Sequence, residues 1–288
     1  MPERPEPHSV RRLLEALGVG AKKRWGQNFL SNPDTARRIV ELGDLGSGDI
    51  VWEIGPGLGI LTERLLAAGA EVVAFEIDWG LVAYLRERFS GTRLTVVPGD
   101  AVKELPNALD AHGAPSRLIS NLPYRSAATI LGRLVEGAVW IPLQVVTVQR
   151  EVAERMLAAP GTKDYSSFTV LMQSGYEIRR EMQLPPGVFY PVPEVDSTVL
   201  RLRLKAGPPD DPEALSRLCR AAFAARRKTI KNNLLSAPFG DGRGRQEVLD
   251  ALEELRISPE VRAERLSVEQ MIALARRLGG ALSGPGSP

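Results

Sequence analysis

At 288 residues with 43% hydrophobic side chains, the chain is long enough and apolar enough for a large α/β domain with a smaller companion. Its single cysteine, Cys219, excludes an intramolecular disulfide and a thiolate metal cage, and with only His8 and His112 beside it no metal site is expected. The net charge of +2 says little, but its distribution does: positive residues crowd 11–38 and 220–231, and no acid stands between Arg220 and Ser236.

In chain order, Met1 to Pro7 lacks the apolar run of a secretory signal. No later segment approaches ~20 uninterrupted apolar residues, so a cytoplasmic protein without a membrane partner is expected. Ser9 is placed to cap a short helix with Val10, Leu13, Leu14 and Leu17 on one face, Gly18 at its end, and Arg11 and Arg12 turned outward. A basic loop runs from Lys22 to Leu30 and holds Lys23, Arg24 and Asn28. Asn32 and Pro33 read as cap and first residue of a second helix through about Leu42. From Asp49, short apolar runs alternate with helical segments, the pattern of a parallel sheet covered by helices. The expected strands are Ile50 to Ile54, Glu71 to Ile77, Leu94 to Val97, Arg117 to Ser120 and Leu143 to Val148, with helices such as Ile60 to Ala68 and Asp78 to Phe89 between them. Tyr176 to Met182 and Ser197 to Leu204 read as two more strands that close one sheet edge as an antiparallel pair. The Pro-rich stretch from Gly207 to Pro212 is a linker, which divides the chain into a domain at 1–206 and a helical domain at 207–288. Ser267-Val-Glu-Gln270 is a capping box opening a last helix, and Gly279 to Pro288 reads as a tail.

Three strand ends carry signals for a nucleotide-type cofactor. Glu53-Ile-Gly-Pro-Gly-Leu-Gly59 follows the first expected strand, where Gly55 and Gly57 let a ligand approach the backbone. A dinucleotide fingerprint requires glycine at Ile60, and a P-loop requires a lysine that is absent. The loop is instead of the methyltransferase type, whose cofactor has a methionine moiety in place of phosphates. Glu76 ends the next strand at the spacing of a ribose-binding carboxylate, and Asp100 ends the third, where it can accept from an adenine amino group. Each carboxylate alone has an ordinary reading as a solvated strand end. Asn121-Leu-Pro-Tyr124 follows the fourth strand and changes the subject from cofactor to substrate. An adenine N6 lone pair is delocalised into the ring, so acceptors aimed at its hydrogens make it a better nucleophile. The Asn121 oxygen and a main-chain carbonyl held by Pro123 suit that task, with Tyr124 stacked on the base. The plain alternative is a β-turn.

These motifs, with Gly26-Gln-Asn-Phe-Leu30, Phe189-Tyr-Pro-Val-Pro-Glu-Val-Asp-Ser197 and Phe223-Ala-Ala-Arg-Arg-Lys-Thr229, make the chain resemble the ribosomal RNA adenine dimethyltransferase family from about Lys23 to the C-terminal helices. The resemblance implies a Rossmann-like class I methyltransferase sheet, mostly parallel with an antiparallel edge, plus a smaller all-α C-terminal domain. It implies S-adenosyl-L-methionine as cofactor, held by Asn28, Leu30, Gly55, Gly57, Glu76, Asp100 and Asn121. It places Asn121, Leu122, Pro123 and Tyr124 at the reacting amine and Phe189 on the second side of the base, although Phe189 between prolines also reads as loop packing. The implied substrate is a pair of adjacent adenosines near the 3′ end of 16S rRNA, each taking two methyl groups within the small ribosomal subunit or its assembly precursor. Lys22, Lys23 and Arg24, with Arg226, Arg227, Lys228 and Lys231 at near-helical spacing, are the expected RNA contacts of a monomeric enzyme. Glu194 stands where the family often has Lys, and Ser166 where it commonly has Gly. Other readings are dimethylation of a large-subunit rRNA adenine, a non-catalytic RNA-binding factor on the same scaffold, and, disfavoured by Ile60, an oxidoreductase.

Overall fold

In chain order the elements are α1 (Pro7–Ala16), β1 (Phe29–Leu30), α2 (Pro33–Glu41), β2 (Ile50–Ile54), α3 (Ile60–Ala67), β3 (Glu71–Glu76), α4 (Trp79–Arg88), β4 (Leu94–Pro98), α5 (Ala101–His112) and β5 (Arg117–Asn121). There follow α6 (Ala127–Glu136), β6 (Leu143–Gln149), α7 (Arg150–Leu157), α8 (Ser167–Gly175), β7 (Tyr176–Leu184), β8 (Phe189–Tyr190), β9 (Ser197–Leu204), α9 (Pro212–Ala222), α10 (Ile230–Leu235), α11 (Gly244–Glu254) and α12 (Val268–Leu278). The computed structural model describes residues 7–20, 26–236 and 244–279. The described residues fall into two compact units, one within Met1–Ile130, Ile141–Ala153 and Ile178–Leu204, the other within Leu131–Trp140, Glu154–Glu177 and Lys205–Pro288. The linker at 207–212 therefore lies just inside the second unit, which also draws in two earlier segments.

The first unit is built on a seven-stranded sheet of order β4-β3-β2-β5-β6-β9-β7. Strands β4 to β6 are mutually parallel along that order, and β9 runs antiparallel to β6. The chain reverses direction of travel between β2 and β5, which opens a crevice at their carboxyl ends. Side chains explain what fills it. On one face each strand is apolar in its first half and polar at this end: Val51 then Glu53, Ala74 then Glu76, Ile119 then Asn121, Val145 then Thr147. The apolar half packs under Ala36, Ile39 and Val40 of α2 and Leu61 and Leu65 of α3. The polar half is what remains for a ligand. The opposite face is mainly apolar, with Trp52 edge-on to Phe75 at 5.2 Å, and buries two polar side chains, Ser120 and Gln144.

Helix starts follow their caps. Asn32 accepts from the Thr35 amide at 2.8 Å with Pro33 in the first turn, and Asp78 and Asp100 accept from Gly80 and Val102, each at 3.0 Å. One expectation fails here: α1 begins at Pro7, so Ser9 lies inside the helix and does not cap it. Proline at the first helical position needs no amide donor, which lets the helix begin three residues before Val10. In the second unit the Ser267–Gln270 capping box forms in both directions, and the Tyr165 hydroxyl donates to the Leu266 carbonyl at 2.9 Å. Of the expected tail only Gly279 is among the described residues. Among those residues no helix is long and apolar enough to cross a membrane.

Candidate active site

Gly55, Gly57 and Gly59 hold φ values of 72°, 58° and 80°, so the turn from β2 into α3 is left-handed at every second residue. At Gly57 space is short as well: a Cβ there would meet Phe29 Cδ1 at 2.7 Å. The glycine loop is thereby pressed against the segment that carries Asn28 and Leu30, and β1 is held in turn by antiparallel pairing of Leu30 with Phe189. Leu58 and Phe29 share an apolar cluster with Val10 and Leu14 of α1. Above the loop is a cleft of about 210 Å³ lined by Asn28, Leu30, Gly55, Gly57, Glu76, Asp100 and Asn121 among others. Every residue expected at the cofactor reaches this one cleft, and it holds far more than a water's share of ~30 Å³.

The two acids beneath the loop are not solvated. Glu76 is 3% exposed and accepts from the Gly57 amide at 3.2 Å and the Asp78 amide at 2.9 Å. Burial outweighs those bonds and pushes its carboxyl up to about 7. The Ile77 amide is a further backbone donor to it, and the carboxyl still lines the cleft. Glu53, which sequence reasoning noted only as the start of the glycine motif, is fully buried and accepts from the Thr62 hydroxyl at 2.6 Å. Burial first, opposed by that bond and assisted by the nearby Glu76 charge, pushes it up to about 8. Asp100 is exposed at the rim and spends one oxygen on the α5 cap.

At the end of β5, the Asn121 amide nitrogen donates to the Asn28 carbonyl at 2.9 Å, while its buried Oδ1 has no partner among the described residues. Buried acceptors are nearly always paired, so this oxygen points to a missing donor. The Pro123 carbonyl is not available, because the amides of Ser126 and Ala127 donate to it at the start of α6. Leu122 is pinned by its amide to the Thr147 carbonyl at 3.1 Å. The Tyr124 hydroxyl is hydrogen-bonded to Ser197, and burial pushes its phenol above the ordinary range, so it stays protonated. Phe189 is 1% exposed and meets Tyr124 edge to face, ring centroids 6.3 Å apart. The two rings are neighbours, but in this state they do not form an open sandwich. Thr147 and Ser197 are not among the residues expected at the site from sequence; the available signal is a hydroxyl within strand β6 and another at the start of β9.

The basic residues divide. Lys22, Lys23 and Arg24 lie outside the described residues. Arg226, Arg227 and Lys228 are exposed in the second unit, but they occupy the turn between α9 and α10, so the near-helical spacing does not put them on one helix face. The turn is locked by Asn233, whose amide donates to the carbonyls of Ala222 and Ala225 at 2.6 and 3.1 Å. Lys231 alone is on α10, paired with Glu260 at 2.6 Å, and Arg226 lies 3.7 Å from Glu264. The stretch without acids in sequence is met by acids from further along the chain.

The family model for ribosomal RNA adenine dimethylase matches residues 18–279. A relative in Treponema denticola, called ribosomal RNA small subunit methyltransferase A, is 35% identical over 283 residues, 96% of each chain. Among solved structures, a dimethyladenosine transferase from Plasmodium falciparum is 25% identical with a TM-score of 0.72, covering 88% of this chain and 98% of that one. The 23S rRNA methyltransferase ErmE is 27% identical with a TM-score of 0.59, covering 88% and 100%. With a class I methyltransferase sheet, its glycine loop and the Asn121-to-Tyr124 turn in one crevice, the chain belongs to the ribosomal RNA adenine dimethylase family.

Proposed function

We propose that this chain dimethylates the N6 amines of two adjacent adenosines near the 3′ end of 16S rRNA, in the cytoplasm, during assembly of the small ribosomal subunit. S-adenosyl-L-methionine is the methyl donor in this reading, and the protein acts as a monomer. The observation that carries it is the buried, unpartnered Oδ1 of Asn121 beside Tyr124, at the mouth of a cleft floored by Gly55, Gly57 and Glu76. The lining suits the donor: the carboxyl of Glu76 fits ribose hydroxyls, Asp100 fits the adenine amine, and Asn28, Leu30 and the glycine-loop backbone flank the amino-acid part.

The cofactor supplies a methyl group on a sulfonium centre; position and electrostatics are the protein's share. Asn121 Oδ1 and the Leu122 carbonyl accept the two N6 hydrogens, which favours a pyramidal nitrogen with its lone pair free for in-line attack. Tyr124 offers a ring face to the base, and Phe189 closes the other side once its ring leaves the core packing seen here. The alkylated nitrogen is acidic, so its proton passes to solvent without a dedicated base. The target must be unstacked, most cheaply from a single-stranded loop. Arg227 and Lys228, with the N-terminal basic residues, would neutralise flanking phosphates.

The test is to incubate the protein with labelled S-adenosylmethionine and small subunits that lack the modification, then map labelled nucleotides by mass spectrometry. Two neighbouring dimethyladenosines near the 3′ end are expected. Label only in 23S rRNA would move the assignment to the specificity in ErmE's name, and no label would leave a binding factor.

A further inference from the structure

Among the described residues three large apolar side chains are exposed: Trp79 at 68%, Val192 at 65% and Val195 at 40%. All three stand at one end of the seven-stranded sheet. Trp79 opens α4, three residues beyond the carboxyl end of β3. Val192 and Val195 lie between β8 and β9, and β9 begins opposite Gln149, the last residue of β6. This is the rim that also holds Gly55, Glu76 and Asn121. Isolated apolar residues are ordinary on a surface, and the two valines lie in the Pro-rich loop between β8 and β9. Trp79 needs its own explanation.

Tryptophan is mostly buried in folded proteins, so an indole two-thirds in solvent forgoes a large burial gain. Nothing in the fold asks for it. Asp78 caps α4 through the Gly80 amide at 3.0 Å, and Leu81, Val82 and Leu85 supply the buried face of the helix. Nor does Trp79 belong to the cofactor cleft, which Ile77 lines and Trp79 does not. Its neighbour Gly80 packs so closely on the segment after α1 that a Cβ would lie 2.6 Å from Val19 Cγ2. That segment's helix presents Arg11 and Arg12 to solvent, Arg11 paired with Glu15 at 2.8 Å. An exposed aromatic face with guanidinium groups on the adjoining element is the composition that holds single-stranded nucleic acid: the ring stacks on any base and the cations meet phosphates. The spacing also fits. Only β2 separates β3 from β5, so the strand leading to Trp79 runs about 10 Å, two strand spacings, from the strand that ends at Asn121.

We propose that Trp79 stacks on an unpaired base of the RNA substrate close to the target adenosine, with arginines of α1 on its backbone. This rests on the reading of the chain as an rRNA methyltransferase. The test compares the full-length wild type with Trp79→Ala and Trp79→Phe in three measurements: affinity for small subunits lacking the modification, quenching of intrinsic fluorescence by single-stranded oligoadenylate, and affinity for S-adenosylmethionine. Trp79→Ala should bind particles about tenfold more weakly and lose most of the oligoadenylate quench, at unchanged cofactor affinity. Trp79→Phe should recover much of the particle affinity, because a smaller ring still stacks. Wild-type behaviour of Trp79→Ala would overturn the proposal, as would a parallel loss of cofactor affinity, which would put the indole at the cofactor. A loss with particles but none with oligoadenylate would assign Trp79 to a ribosomal protein instead. If the wild type itself neither binds nor methylates the particles, the functional reading fails, and this proposal with it.

Discussion

Glu76 offers the sharpest check on the cofactor reading, because its protonation and its proposed task conflict near neutral pH. Burial holds the carboxyl at about 7 despite the amide donors of Gly57, Ile77 and Asp78. Two ribose hydroxyls donate best to the ionised form, so binding should pull the proton off. With a free-state value of about 7, roughly one molecule in eleven is ionised at pH 6 and roughly ten in eleven at pH 8. If only that form binds, apparent affinity should rise about tenfold between pH 6 and pH 8. Methylthioadenosine is the suitable probe, since it keeps the ribose and adenine but lacks the α-amino group that titrates in the full cofactor. Calorimetry in two buffers of different ionisation enthalpy should show proton release below pH 7. Glu76→Gln should abolish both the release and the slope, and Glu76→Ala should weaken binding at pH 8 by about thirtyfold, roughly 2 kcal/mol. A pH-independent affinity with no proton release in the wild type would refute the ribose contact and leave Glu76 as a brace for Gly57 and Asp78.

Glu53, pushed up to about 8, keeps its proton in the folded chain where the unfolded chain has lost it, so its contribution to stability is full below about pH 4.5 and falls as pH rises towards 8. Denaturant titrations should show Glu53→Gln losing less stability than wild type over that window, by roughly 4 kcal/mol; equal slopes would place the carboxyl in a wetter site. Asn121→Ala should lower the single-turnover methylation rate at saturating cofactor much more than it lowers RNA affinity, and a near-normal rate would remove its oxygen from the mechanism. The Thr147 hydroxyl is buried with no partner among the described residues, so Thr147→Val should stabilise the fold by about 1 kcal/mol in thermal or chemical denaturation, and a loss would show that the hydroxyl is bonded after all. Arg227→Gln with Lys228→Gln leaves the Arg226–Glu264 pair in place, and should flatten the salt dependence of particle binding by about 1.4 log units per log unit of salt. An unchanged slope would shift attention to the N-terminal basic stretch.

Much of the scaffold was legible along the chain. β2 and β9 occupy Ile50–Ile54 and Ser197–Leu204, the bounds expected from the apolar runs, and the other sheet strands begin where expected. The caps at Asn32 and Ser267 are also as read. These are local signals: a strand's apolar run and a cap's hydrogen bond are complete within a few residues. The order of polar residues after successive strands likewise placed Gly55, Glu76, Asp100 and Asn121 in one crevice, because parallel strands bring their carboxyl ends to one side.

What tertiary structure decided is everything that depends on what packs from elsewhere. The pairing of Leu30 with Phe189 joins residues far apart through two-residue strands too short to carry a period. Whether Glu76 was a solvated strand end or a buried acceptor turned on the glycine loop and α3 folding over it, and the same burial raised Glu53. Arg226 to Lys228 kept a helical spacing in sequence yet form a turn, because Asn233 ties α10 back to the end of α9. The free oxygen of Asn121 became visible only when the Asn28 carbonyl had taken its amide. Residue type is written in the chain, but burial, charge state and unmet hydrogen bonds belong to the neighbours that folding assembles around each group.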